Sequence, residues 1–314
     1  MTDKAFDIIT IGESLIEFST NQKLKDAECL HKYYGGDSLV VAVAAKRLNS
    51  SVGFITCLGN DAFKEYMLSS WEKEGLDLSH VKIVDEKNGL YMVSRAPGEN
   101  KEFIFYRKKI APAKLSIEDI DEEYIKSSNI IYASGITQSL SISSREAVKK
   151  AFLIAKEHGI TTAYDPNFSS LISTVEEAKE YFEEIAPYTD ILFMSSKYDT
   201  KSIFDIDSLE NIIKALADKG IQTIVIKASD KQGYFVHSQG NTNFVPFYTT
   251  HVIDTTSSGD AFNGAFLHAV SHSYTPVEAA KIASIDAGLQ AQGIGAIKST
   301  PYYDEVYKIY TSEE

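Results

Sequence analysis

The residues best equipped for chemistry run Asp254-Thr255-Thr256-Ser257-Ser258-Gly259-Asp260-Ala261-Phe262. A turn of small residues leads straight into an apolar-periodic segment, Ala261 to Ser271, with an acid at the junction. The first N–H groups of a helix have no carbonyl partner inside it, and the helix dipole adds positive potential there. Such an end binds anions, phosphates among them. An acid is out of place beside a site that only holds an anion. It fits if the carboxylate takes a proton from a hydroxyl while the N–H groups hold a phosphoryl group in transfer. Ser, Gly and Asp ahead of a helix are also ordinary capping residues, so the rest of the chain must decide.

Three further constellations bear on that choice. Gly35-Gly36-Asp37 precedes an Ala/Val-rich segment. Bare backbone admits a small polar ligand closely, and a carboxylate would accept its hydroxyls; a turn capped by Asp37 is the plainer account. Asp165-Pro166-Asn167 ends a strand-like run, the place where open α/β sheets bind ligands, although a Pro turn is equally compatible. Arg107, beside Tyr106, is suited to orient an anionic or hydroxylated group, or is a charge on an edge strand. Other chemistries lack their motifs. There is no Gly-x-x-x-x-Gly-Lys-Ser/Thr run, no protein-kinase set and no Gly-x-Ser-x-Gly, and the first strand ends in Ile11-Gly12-Glu13-Ser14 without a glycine triplet. His268 and His272 lie four apart but lack a Glu after His268 and a nearby third ligand, so they read as structural.

The elements that must position these residues follow from periodicity. Strands are expected over 7–11, 52–58, 129–133, 161–164, 190–193 and 223–226, and helices over 37–48, 61–74, 144–157, 175–185, 209–219, 261–271 and 276–292. Phe63, Met67 and Trp71 are spaced to share one helix face. Apolar strands alternating with helices imply a parallel sheet covered on both faces. Two regions break the rhythm. Residues 15–34 read as polar and irregular, and 90–95 with 102–107 read as a hairpin around Pro97-Gly98-Glu99-Asn100. Both are expected in a smaller β unit that closes over a substrate and excludes water.

The chain has 314 residues, enough for one large domain with an excursion or for two domains. An apolar fraction of 44% is that of a globular protein, and a net charge of −13 argues against nucleic acid or an anionic membrane as partner. Cys29 and Cys57 supply neither a metal framework nor a disulfide scaffold, which suits a reducing cytoplasm. The polar start, Met1 to Asp7, shows no signal-peptide pattern, and no apolar run approaches a bilayer span.

Taken in order, the motifs resemble the ribokinase-like (PfkB) sugar kinases over nearly the whole chain, and within them the 2-keto-3-deoxygluconate kinases. The matching pieces are Gly12-Glu13, Gly35-Gly36-Asp37, Leu58-Gly59-Asn60-Asp61, Gly89-Leu90-Tyr91, Tyr106-Arg107, Ser134-Gly135-Ile136, Asp165-Pro166-Asn167, the 254–262 turn and Gly293 through Ala296. The resemblance implies an α/β fold. A central, mostly parallel sheet is flanked by helices, and segments near 15–34 and 88–110 form a small β lid. It implies ATP and Mg2+ as cofactors, with Asp260 as catalytic base and Ser257, Ser258 and Gly259 as the anion hole. Gly35, Gly36, Asp37, Tyr91, Tyr106, Arg107 and Asn167 match sugar-facing positions. Lys227, Ser229, Gly233 and Gly295 match the nucleotide side, and Asp254 and Thr256 lie near a monovalent cation site, taken by K+ in related kinases. A homodimer through the lid is also implied.

Departures from the pattern bear on substrate and metal. Ser257 and Ser258 replace the usual Gly-Ala of the anion hole; N–H groups survive if Ser257 tolerates the backbone angles. Val40 stands where the family often has Asn. Ser169 stands where the ketodeoxygluconate kinases place an Arg for the substrate carboxylate. The Asn-x-x-Glu motif linked to metal and phosphate reads Ser195-Ser196-Lys197-Tyr198. The expectation is an ATP-dependent sugar kinase acting on 2-keto-3-deoxygluconate. The alternatives are a kinase for fructose or another neutral ketose, and a sugar-binding protein that has lost catalysis, against which Asp260 argues.

Overall fold

The computed structural model describes residues 4–206, 208–248 and 251–312; Met1–Asp3 of the polar start lie outside them. Its strands are β1 (Phe6–Ile11), β2 (Leu15–Thr20), β3 (His31–Gly35), β4 (Val52–Gly59), β5 (Val81–Val84), β6 (Gly89–Ser94) and β7 (Glu102–Tyr106). They continue with β8 (Ser128–Ser134), β9 (Thr161–Asp165), β10 (Ile191–Ser195), β11 (Thr223–Ala228), β12 (Gly233–Ser238) and β13 (Asn241–Pro246). Nine of them form one sheet in the order β13-β12-β11-β10-β9-β8-β1-β4-β5. All neighbours from β11 to β5 are parallel, and β12 and β13 add an antiparallel hairpin at one edge. β1 enters first and sits between β4 and β8, so the chain order reverses beside it. The carboxyl ends of strands at such a reversal open the crevice where α/β sheets hold ligands.

Helices cover both faces. On one side pack Asp37–Arg47, Ser258–Ser271, Pro276–Gln290 and Tyr303–Tyr310; on the other pack Ile142–Glu157, Val175–Ile185 and Leu209–Ala217. Phe262 and Phe266 are fully buried one turn apart and meet Phe193 of β10 edge-on. Each such ring contributes roughly 1.5–3 kcal/mol of burial, which fixes the helix that begins beside Asp260. The helix expected over 61–74 starts later, at Lys64, and still buries Met67 and Trp71 on one face. The helix expected from Ala261 starts at Ser258, so Gly259 and Asp260 belong to its first turn.

The second sheet has the order β3-β2-β6-β7. The hairpin expected around 97–100 is present, with Leu90 opposite Tyr106 and Met92 opposite Ile104. Residues 15–34, expected to be irregular, instead supply two strands. β2 hides because Leu15, Ile16 and Glu17 are all buried, so no alternation marks it, and β3 hides because His31 and Lys32 are exposed polar residues. Among the described residues no helix is long and apolar enough to cross a membrane.

Candidate active site

Two helices open on the same crevice. Gly264 allows this: a Cβ there would stand 2.4 Å from the Val41 carbonyl, so only glycine lets Ser258–Ser271 lie against Asp37–Arg47. Asp37 begins one helix, after Gly36 at φ +114, where a Cβ would meet the Glu13 carbonyl at 2.6 Å. Asp260 lies in the first turn of the other. Ser134, at the end of β8, donates to the Asp37 carboxylate. Asn167, just past β9, holds φ +44 and donates from Nδ2 to Asp260 Oδ1 at 3.2 Å. Asp165 accepts from Lys227 Nζ at 2.6 Å and from Asn263 Nδ2 at 2.7 Å. A Cβ on Gly259 would lie 3.4 Å from Lys227 Nζ, so the ammonium sits at the small-residue turn.

This clustering sets the protonation of the acids. Burial, then the charge of Asp37, push the Asp260 carboxyl well above the usual aspartate range, and the Lys227 ammonium pulls it partly back. Burial likewise raises Asp37, against the hydrogen bond from Ser134. Burial disfavours the Lys227 ammonium, yet Asp165, Asp260 and Asp199 more than restore it. A carboxylate of raised basicity, a charge-supported ammonium and a helix N-terminus thus face one space. That set can take a proton from a hydroxyl and neutralise a phosphoryl group beside it.

Several expected residues behave otherwise. Ser258 N–H is spent on the Thr255 carbonyl at 3.2 Å, and Asp260 N–H on the Ser257 carbonyl at 3.1 Å. Neither Ser257 N–H nor Gly259 N–H has a carbonyl partner among the described residues, so both remain available as donors at the turn. Tyr106 does not face the crevice. It pairs with Leu90 on the side opposite Tyr91, while Phe105 stacks on Tyr91 at 5.6 Å. Tyr91 itself is buried and donates its hydroxyl to Glu17 at 2.7 Å. Arg107 is no solvated edge charge. Its guanidinium grips buried Glu13 with Nε at 3.0 Å from Oε2 and a second contact through Nη2. Gly233 serves packing: a Cβ there would strike the Phe244 ring at 2.3 Å. Ser229 is exposed, on the rim of a cavity of about 330 Å³ with Lys197 and Phe235. Gly295 is buried at φ +96 against the Tyr33 ring.

The cation site expected at Asp254 and Thr256 is not open. Lys101 Nζ lies 2.5 Å from Asp254 Oδ1 and Arg95 Nε lies 2.5 Å from Oδ2, while Thr256 donates its N–H and hydroxyl to Oδ1. The histidine pair is structural as expected for His268, which meets Ser50 Oγ at 2.8 Å and Tyr307 Oη at 3.0 Å; burial pushes it down to about 3, so it is neutral.

Sequence reasoning missed Asn263, Asp199, Lys101, Arg95, Glu17 and Gln290. Asn263 carried a signal, since a residue three past Asp260 shares its helix face. Asp199 lies one place beyond the position where an acid was sought. A π-helical turn over Ser196–Thr200 brings it inward. Its carboxylate accepts from Phe168 N and Ser195 N, and burial followed by the charge of Asp165 raises it to about 7.

Comparison with known proteins agrees with this architecture. A 5-dehydro-2-deoxygluconokinase of Clostridium perfringens is 26% identical over 320 residues, covering 99% of this chain and 94% of that protein. An ATP-dependent 6-phosphofructokinase of Thermoanaerobacterium thermosaccharolyticum is 27% identical, covering 98% and 95%. The crystal structure of a putative ribokinase II of E. coli in complex with ATP and Mg2+ superposes with a TM-score of 0.89 at 24% identity, covering 98% of this chain and all of that one. Residues 5–302 match the pfkB family carbohydrate kinase model, and with that span the chain belongs to this family: it is a phosphotransferase acting on a sugar hydroxyl.

Proposed function

We propose that this chain moves the γ-phosphoryl group of ATP to 2-keto-3-deoxygluconate. The observation that carries the chemistry is Asp260 at the first turn of its helix, held by Asn167 and flanked by Gly259 N–H and Lys227. Asp260 takes the proton of the attacking hydroxyl. Gly259 N–H and Lys227 meet the phosphoryl charge as it develops. Asp37, with Gly35 and Gly36, forms the bare backbone and carboxylate against which sugar hydroxyls bind.

Among the described residues no three His, Cys, Asp or Glu side chains gather as a metal site. Mg2+ carried on a triphosphate needs no such group, since it keeps several waters and is bound largely through the phosphates. Asp165 and Asp199 are already taken up by Lys227, Asn263 and two backbone N–H groups, so waters and phosphate oxygens would supply most of its ligands, and the bound ion would offset phosphate charge. The small sheet acts as the lid. Its edge strand β7 exposes Phe103, Ile104, Phe105 and Tyr106, an open apolar edge on which a second copy would pair; light scattering reads that mass directly.

The choice of 2-keto-3-deoxygluconate rests on the resemblance alone; the C. perfringens relative is named for another keto-deoxy sugar acid, 5-dehydro-2-deoxygluconate, and supports only that broader class. One observation favours a neutral ketose instead: Arg107 is committed to Glu13, and Ser169 offers no charge to a substrate carboxylate. ATP turnover with Mg2+ on a panel of 2-keto-3-deoxygluconate, 5-keto-2-deoxygluconate, fructose and ribose separates the two. Selective turnover of 2-keto-3-deoxygluconate supports the main reading; selective turnover of fructose replaces it with the second.

A further inference from the structure

Behind the phosphate turn lie two neighbouring sets of oxygens: the Asp254 carboxylate with the Thr255 and Thr256 hydroxyls, and the Thr256 and Ala296 carbonyls. Carboxylate and carbonyl oxygens in such a group suit a hard cation. Each is engaged by the chain's own donors. Lys101 Nζ lies 2.5 Å from Asp254 Oδ1, 3.5 Å from Thr255 Oγ1 and 3.4 Å from Thr256 Oγ1. Gln290 donates from Nε2 to the Thr256 carbonyl at 2.9 Å and to the Ala296 carbonyl at 3.3 Å. Its Oε1 accepts from Ser258 Oγ at 2.5 Å, so the same side chain grips the turn.

The charges close as well. Arg95 contacts Asp254 with Nε and donates from Nη2 to Glu17 Oε1 at 3.2 Å, while Glu17 Oε2 accepts from Tyr91 Oη and from Ala296 N. Two cations, Arg95 and Lys101, face two buried carboxylates, Asp254 and Glu17. An added cation would leave an uncompensated positive charge there, which a buried setting disfavours. Arg95 directly follows β6 and Lys101 directly precedes β7, so both cations come from the hairpin of the small sheet.

We infer that the Lys101 ammonium, with the Gln290 amide, fills from within the chain the place a monovalent cation would occupy behind the phosphate turn. Phosphoryl transfer then runs without added K+, and the small sheet is fastened to the turn that receives the phosphate. Lys101 is a positioning residue: it reaches the phosphate only by ordering residues 254–259. The inference rests on phosphoryl transfer at Asp260.

The test uses the full chain in K+, Na+ and tetramethylammonium chloride at one ionic strength, reading ATP turnover with its best sugar and the thermal unfolding midpoint. The native rate and midpoint are expected to agree in all three salts, the rates within about twofold. Lys101→Met is expected to lose at least tenfold in kcat in tetramethylammonium, with sugar KM unchanged. K+ should restore part of that rate and raise the midpoint of this variant alone. Lys101→Arg, which keeps the charge, should need no K+. A native rate or midpoint that climbs saturably with K+ but not with tetramethylammonium overturns the inference, as does Lys101→Met matching the native rate in tetramethylammonium. If Lys101→Met does not fold, the native salt series and Lys101→Arg still decide. If no sugar is turned over, the kinase assignment fails on the rate arm, while the midpoints still report whether K+ binds.

Discussion

As the proposed base, Asp260 carries the heaviest demand of any single residue: that role needs it ionised, although burial and the charge of Asp37 favour its acid form. Its folded pKa is therefore above the ordinary 3.8. kcat/KM is expected to fall as pH drops through that raised value, and Asp260→Asn is expected to lower kcat by about 10²- to 10⁴-fold with sugar KM little changed. A pH–rate profile with its acid limb in the ordinary aspartate range, or equal losses in kcat and sugar binding, would count against the assignment. The placement of Asp260, Asp37 and Asn167 beside one another was legible in the sequence, because each sits in a short run at a strand end or helix start. Asp199 was not, since a single π-turn moved the acid by one position. Lys101 and Glu17 were not, since their partners lie far along the chain and only the docking of the small sheet on the loops at Asp254 and Ala296 unites them.

At the scale of elements, the departure at Ser257 has a measurable consequence. Ser257 precedes the helix with φ +62 and ψ 9, the left-handed region. For a residue with a Cβ this costs roughly 1–2 kcal/mol, and more for a β-branched one. Glycine removes that cost but adds about 0.4–1 kcal/mol of chain entropy in the unfolded state. Ser257→Gly is thus expected to stay within about 1 kcal/mol of native stability, and Ser257→Val to lose more than that, as read from urea midpoints. The reverse order would mean that the turn does not hold this conformation. Helices were the most legible elements because their apolar residues repeat along one face, as Met67 and Trp71 do. β2 was the least legible, because burial of Glu17 beside Leu15 and Ile16 erased the alternation that marks a strand.

Across the whole molecule, the large sheet and the small one meet through charge, and this makes stability depend on pH. Alternation of strands and helices was enough to read the main sheet, but nothing local in Glu13 or Arg107 announces that residues 94 apart will pair. Glu13, at the end of β1, is raised from 4.5 to about 7, chiefly by burial, with Arg107 opposing that rise. The folded state therefore holds a proton that the unfolded chain releases earlier. The stability this contributes is full below about 4.5 and is lost as pH rises through about 7. Removing Arg107 leaves the Glu13 carboxylate buried without its counter-charge, a change that typically costs about 3–5 kcal/mol. That cost applies only where Glu13 is ionised. Arg107→Ala is accordingly expected to be strongly destabilised at pH 8 and much less so at pH 5, where Glu13 is neutral in both proteins. Urea unfolding of native protein and variant at the two pH values measures the gap. A gap that does not widen with pH would mean that Arg107 joins the sheets through packing against Phe105 rather than through its charge.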